Sequence, residues 1–111
     1  MQKIAILGAN GFLGSPIAHA FSTIGWEVVS LSRSGKGHSA REEYSANLFD
    51  EESLASAITF SKPDAVLSTA WDTEHGKFWT NSSNIDYRNA TLRFAEISFE
   101  AGVKTFIGLG T

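Results

Sequence analysis

Three glycines at intervals of three, Gly8, Gly11 and Gly14, stand between a short apolar run and an amphipathic one. Lys3-Ile4-Ala5-Ile6-Leu7 is continuous and partly β-branched, which predicts a strand buried on both faces of a parallel sheet. Beyond the glycines, Leu13, Ile17, Phe21 and Ile24 recur at helical spacing, with Pro16 in the first turn and Gly25 at the stop. Passing from strand to helix through the loop Gly8-Ala9-Asn10-Gly11-Phe12-Leu13-Gly14 would present free N–H groups and the positive helix end to an anion. Gly8 permits a tight turn, Gly11 removes the Cβ that would block a pyrophosphate, and Gly14 lets the helix lie close on the sheet. The flanking strand and helix distinguish the loop from an ordinary turn.

The rest of the chain alternates in the same way. Residues 27–32 predict a second strand and so a right-handed βαβ unit; residues 33–41 are polar and predict a loop. A short strand is predicted at 43–46, and a helix at 50–60 with Leu54, Ala57 and Ile58 on one face and Pro63 closing it. Residues 64–70 read as a buried strand and 71–77 as a polar loop. A long helix over 84–101 carries Leu92, Ala95 and Phe99 on one stripe and ends at Gly102, before a last strand at 103–109. The pattern predicts an α/β fold: a Rossmann-type parallel sheet with helices on both faces, forming one domain over residues 1–111 and cut short after the fifth strand.

Several classes are disfavoured. The chain has no cysteine, hence neither disulfides nor a thiolate metal site. A net charge of −3 without a Lys/Arg cluster gives no footprint for nucleic acid. The run Ile4 to Leu7 is far too short for a signal peptide or membrane span, so a soluble cytoplasmic protein is expected. Asp72, Glu74 and His75 share one polar loop without the spacing that would converge them on a metal, and no metal site is expected; substrate contact suits a loop leaving a strand end better.

The spacing Gly-x-x-Gly-x-x-Gly resembles the short-chain dehydrogenase/reductase superfamily. Residues 4–15, Ser68-Thr69-Ala70 and the closing Ala101-Gly102-Val103-Lys104-Thr105-Phe106-Ile107 together resemble its NAD(P)-dependent epimerase/dehydratase, or extended, branch, and the likeness covers nearly the whole chain. It implies that Gly8, Asn10, Gly11, Phe12, Leu13 and Gly14 hold the cofactor's pyrophosphate. In that family an acidic side chain ending the second strand binds the adenosine ribose. Here Ser32 and Arg33 offer donors and no carboxylate, which implies NADP rather than NAD, unless Arg33 is a solvated loop residue; Lys36 lies nearby.

Asn47, followed by Leu48, stands where the family binds adenine, and equally suits a turn. Thr69, Ala70 and Trp71 match the segment passing the ribose and pyrophosphate. Counting back from Val103 puts Tyr87 where the family has a bracing Asn, while Asn84 lies one turn earlier and also suits a helix N-cap. Thr111 aligns with the Ser/Thr that hydrogen-bonds the substrate oxygen, making it the catalytic candidate. The family's Tyr-x-x-x-Lys pair is missing: four positions after Tyr44 and Tyr87 stand Leu48 and Thr91.

The resemblance implies the NADP-binding front part of an enzyme acting on a small molecule, a nucleotide-sugar, by epimerisation, dehydration or reduction. Without the tyrosine and lysine this chain alone is expected to show no turnover. The alternative is a non-catalytic NAD(P)-binding sensor or interaction module. An apolar last strand at a sheet edge would invite pairing with another chain, and so a homo-oligomer.

Overall fold

The computed structural model describes residues 2–8, 14–32, 42–69 and 83–108, with backbone alone for 83–85. Among the described residues eight elements follow in order: β1 (Lys3–Leu7), α1 (Gly14–Thr23), β2 (Glu27–Ser32), β3 (Glu42–Ser45), α2 (Glu51–Ser61), β4 (Ala65–Ser68), α3 (Ser83–Glu100) and β5 (Thr105–Gly108). All five strands run parallel in the order β3-β2-β1-β4-β5, so the first strand is the central one. Its buried apolar run suits that place, with Ile4 opposite both Val28 and Ala65.

From β1 the chain steps outward one way to β2 and β3, then returns across the sheet to β4 and β5. Right-handed crossovers stepping in opposite directions lay their helices on opposite faces. Accordingly, Ala18 with Ile17 and Phe21 of α1 packs on Ile4, Ile6, Val28 and Leu67. Leu54, Ala57 and Ile58 of α2 and Phe94 and Ile97 of α3 pack on Ala5, Leu7, Val29, Leu31 and Val66. The helices do lie on both faces of a Rossmann-type sheet.

Local chemistry sets the helix ends. The N–H of Trp26 reaches back to the Phe21 carbonyl at 3.0 Å around Gly25, whose φ of 96° suits glycine alone. Asp50 caps α2 by accepting the Ser53 N–H at 3.3 Å, and Lys62, left-handed at φ 50°, closes it on the Ile58 carbonyl at 2.9 Å.

Two predicted stripes need correction. Ile24 lies beyond the last helical residue of α1 and is 70% exposed. Its expected core place is taken by Trp26, whose ring stands edge-on to Phe21 at 5.2 Å. On α3 the stripe of Leu92 and Phe99 faces outward, both more than half exposed. The sheet is met instead by Phe94, Ile97 and Ser98, with Tyr87 and Ala90 half-buried beside them. Both stripes have helical spacing, and the wider one including Tyr87 and Ala90 carries more apolar area to the core.

At the N-terminal end of the strands, the Lys3 ammonium donates to the Ser61 carbonyl at 2.8 Å and pairs with Glu42 at 2.7 Å and Glu27 at 3.8 Å. Tyr44 Oη donates to the other Glu42 oxygen at 2.8 Å. The hydrogen bond to Glu42 raises the pKa of both Lys3 and Tyr44 above their ordinary values. An upward shift favours the protonated form in the folded state. Its stabilisation is therefore complete below about pH 10 and disappears as pH rises through the folded-state values. Urea unfolding across alkaline pH should show stability falling above about pH 10, with Glu42→Gln flattening that fall. Superimposable pH profiles would rule the linkage out.

Candidate functional site

The strand order reverses between β1 and β4, and a crevice opens beyond the carboxyl ends of strands at such a point. Its two walls are Leu7–Gly8 and Ser68–Thr69. Gly8 takes φ 88°, and its N–H donates to the Leu31 carbonyl at 2.9 Å. A Cβ on Gly8 would strike Thr69 Oγ1, so glycine is demanded by both backbone and neighbour. Thr69 binds back to β1: its N–H donates to the Leu7 carbonyl at 3.0 Å, and its Oγ1 lies 2.9 Å from that oxygen and 3.3 Å from the Gly8 carbonyl. Gly14 begins α1 and is buried. Asn10, Gly11, Phe12 and Leu13 lie outside the described residues.

Ser32 ends β2 opposite Ser45, is 9% exposed, and accepts the Ala46 N–H through its carbonyl at 2.9 Å. Arg33 and Lys36 lie outside the described residues. The next turn is built on Asn47. Its Oδ1 accepts the Phe49 N–H at 2.9 Å, its own N–H donates to Ser53 Oγ at 3.1 Å, and its carbonyl takes the Asp50 N–H at 2.9 Å. Asn47 is therefore a turn residue, and Oδ1 keeps a second lone pair. Leu48 is buried in the core, while Phe49 is exposed and stands edge-on to Tyr87 at 4.9 Å.

That aromatic contact brings Tyr87 to the Asn47 turn. Asn84 lies inside α3, which begins at Ser83, so it does not cap that helix. Ala70, Trp71 and Thr111 lie outside the described residues. Asp72, Glu74 and His75 do too; among the described residues no cluster of three His, Asp or Glu could hold a metal.

Sequence reasoning named Thr69 for this segment without the role of its hydroxyl, and missed Ser68. The Thr69 hydroxyl, turned toward the loop's first carbonyls, leaves no mark in hydropathy or spacing. Ser68 Oγ, opposite Leu7 and Gly108 at the end of β4, is buried without a hydrogen-bond partner, the one such side-chain atom among the described residues. Within an apolar run only its hydroxyl could have drawn notice. A groove between α2 and α3, lined by Glu51, Glu52, Arg93 and Glu100 among others, lies on the outer helix layer. Arg93 is occupied there by Glu51 at 2.8 Å and Glu100 at 3.7 Å.

The model of the NAD dependent epimerase/dehydratase family matches residues 4–111. The chain belongs to that family. This family member is similar to MIOREX complex component 2 of Saccharomyces cerevisiae, with 37% identity over 78 residues covering 68% of this chain and 28% of the yeast protein. It is also similar to a solved Burkholderia pseudomallei protein assigned as exported: 31% identity, TM-score 0.72, covering 99% of this chain and 48% of that one. UDP-glucose 4-epimerase of Thermus thermophilus, solved in complex with NAD, superposes with TM-score 0.78 at 21% identity over 95% of this chain and 36% of that one. The last likeness is one of fold. This family member thus spans less than half the length of each of the three.

Proposed function

We propose that the chain binds a nicotinamide dinucleotide across the crevice between β1 and β4, with NADP preferred to NAD. The observation that carries this reading is Gly8: left-handed, tied to β2, and closed to any side chain by Thr69 at the point where the strand order reverses. Gly11 and Gly14 continue the pyrophosphate loop in this reading. Asn47 takes the adenine through its second lone pair, with Tyr87 beside it, while Leu48 supports that turn from the core.

The preference for NADP rests on charge. Ser32 ends the second strand and Arg33 follows it in sequence, so no carboxylate stands there and a guanidinium would meet a 2′-phosphate. The bound cofactor would supply the hydride-exchanging carbon of its nicotinamide ring. A nucleotide-sugar is the substrate class we assign, supported by the family and by the UDP-glucose epimerase that shares the fold. Residues 1–111 contain no Tyr-x-x-x-Lys, so this chain by itself is expected to bind without turnover.

Titration with NADPH and NADH tests the reading. NADPH should bind about tenfold or more tightly than NADH, and Arg33→Ala should remove most of the difference. Equal affinities, unmoved by the substitution, would overturn the preference; no binding of either would overturn the site.

A further inference from the structure

We propose that the Thr69 hydroxyl is a latch that fixes where the glycine loop begins, which makes Thr69 a positioning residue for the dinucleotide; this rests on the binding reading above and deepens it. A threonine hydroxyl has one proton to give, and the Leu7 carbonyl at 2.9 Å is its nearer acceptor, with the Gly8 carbonyl at 3.3 Å as the alternative. The Leu7 oxygen also accepts the Thr69 N–H at 3.0 Å, so the residue that follows β4 occupies both of its lone pairs.

On the opposite side, the Gly8 N–H is held by the Leu31 carbonyl at 2.9 Å. The peptide joining Leu7 to Gly8 is thus gripped from β2 and from β4 at once. Its orientation sets the direction in which the chain leaves β1. The absent Gly8 side chain is what makes room for the latch, since a Cβ would meet Oγ1.

Stability and binding then respond differently. Removing the hydroxyl leaves the Leu7 carbonyl still bonded to the Thr69 N–H, so no buried acceptor is orphaned and the fold loses little. A loop start that is no longer fixed must be ordered when the ligand arrives, which weakens binding.

The test compares the full chain with Thr69→Val, which keeps the volume and loses the donor, and with Thr69→Ser, which keeps the donor. NADPH affinity is read by fluorescence well below each unfolding midpoint. Thr69→Val should bind roughly three- to tenfold more weakly with a nearly unchanged midpoint, and Thr69→Ser should stay within about twofold of the parent. Thr69→Ala gives the same comparison should the second valine methyl crowd the loop. Parental affinity in Thr69→Val, or equal weakening in the serine and valine variants, would overturn the latch. If the parent chain binds no dinucleotide, the binding reading falls by itself, and amide exchange at Gly8 decides the latch. Faster exchange in Thr69→Val than in Thr69→Ser supports it; equal rates refute it.

Discussion

Replacing Phe94 by alanine is expected to lower the free energy of unfolding by about 3–5 kcal/mol. The ring is fully enclosed and stands edge-on to Phe106 at 5.3 Å, where α3 is fixed on β5. Among the described strands β5 neighbours β4 alone, so its position depends on this helix contact more than that of any inner strand. A domain of this size has about 5–15 kcal/mol in total, so the loss is a large fraction of it. Urea unfolding measures it directly. Leu92→Ala supplies the control: it removes a large side chain from the same helix at a position 56% exposed, and should cost less than about 1 kcal/mol. Equal losses would show that α3 presents a different face to the sheet.

Gly8→Ala is expected to lower stability by about 2 kcal/mol or more and to weaken NADPH binding by at least about tenfold. Two costs combine. A left-handed φ of 88° disfavours any L side chain, and the new methyl runs into Thr69 Oγ1. Gly102→Ala separates them, because Gly102 has a similar φ of 96° with open space where its Cβ would stand. The alanine at position 8 should therefore be the more harmful of the two in thermal unfolding. Adding Thr69→Ala should bring the Gly8 loss down toward that of Gly102. If the two single variants lose the same stability, the threonine yields freely and the close contact has no energetic weight.

The order of elements was legible because each strand of the sheet core is a mainly apolar run, broken only by a serine such as Ser30 or Ser68, and each helix carries an apolar stripe. Ile4 to Leu7 and Val28 to Leu31 show it, as do Leu54, Ala57 and Ile58. Reading stopped where two solutions share a period. On α3, Leu92 and Phe99 repeat as well as Phe94 and Ile97 do, and only the direction from which the sheet approaches selects between them. Ile24 fits the helical count and then falls past the last turn, where periodicity no longer governs.

The candidate site divides in the same way. Backbone demands are visible in glycine, so the need for a special conformation at Gly8 could be read from its type and spacing. Hydroxyl and amide partners cannot be, because they depend on which strand ends become neighbours. Asn47 suited a ligand contact and a turn equally; the Phe49 N–H on its Oδ1 shows the turn, and the second lone pair leaves room for the contact. Thr69 looked like a residue passing a ligand, and its side chain proved to be turned toward β1.

The central place of β1 also bears on how the chain assembles in time. Lys3 lies opposite Glu27 on one side, but its partner Asp64 on the other is 61 residues away. During synthesis, the strand on which the whole sheet is built emerges first, and one of its edges has no partner until more than half the chain has followed. Closing the longer loop adds only about 0.6 kcal/mol per doubling of its length. The greater burden is one of exposure: an apolar edge stays open to other chains throughout that interval.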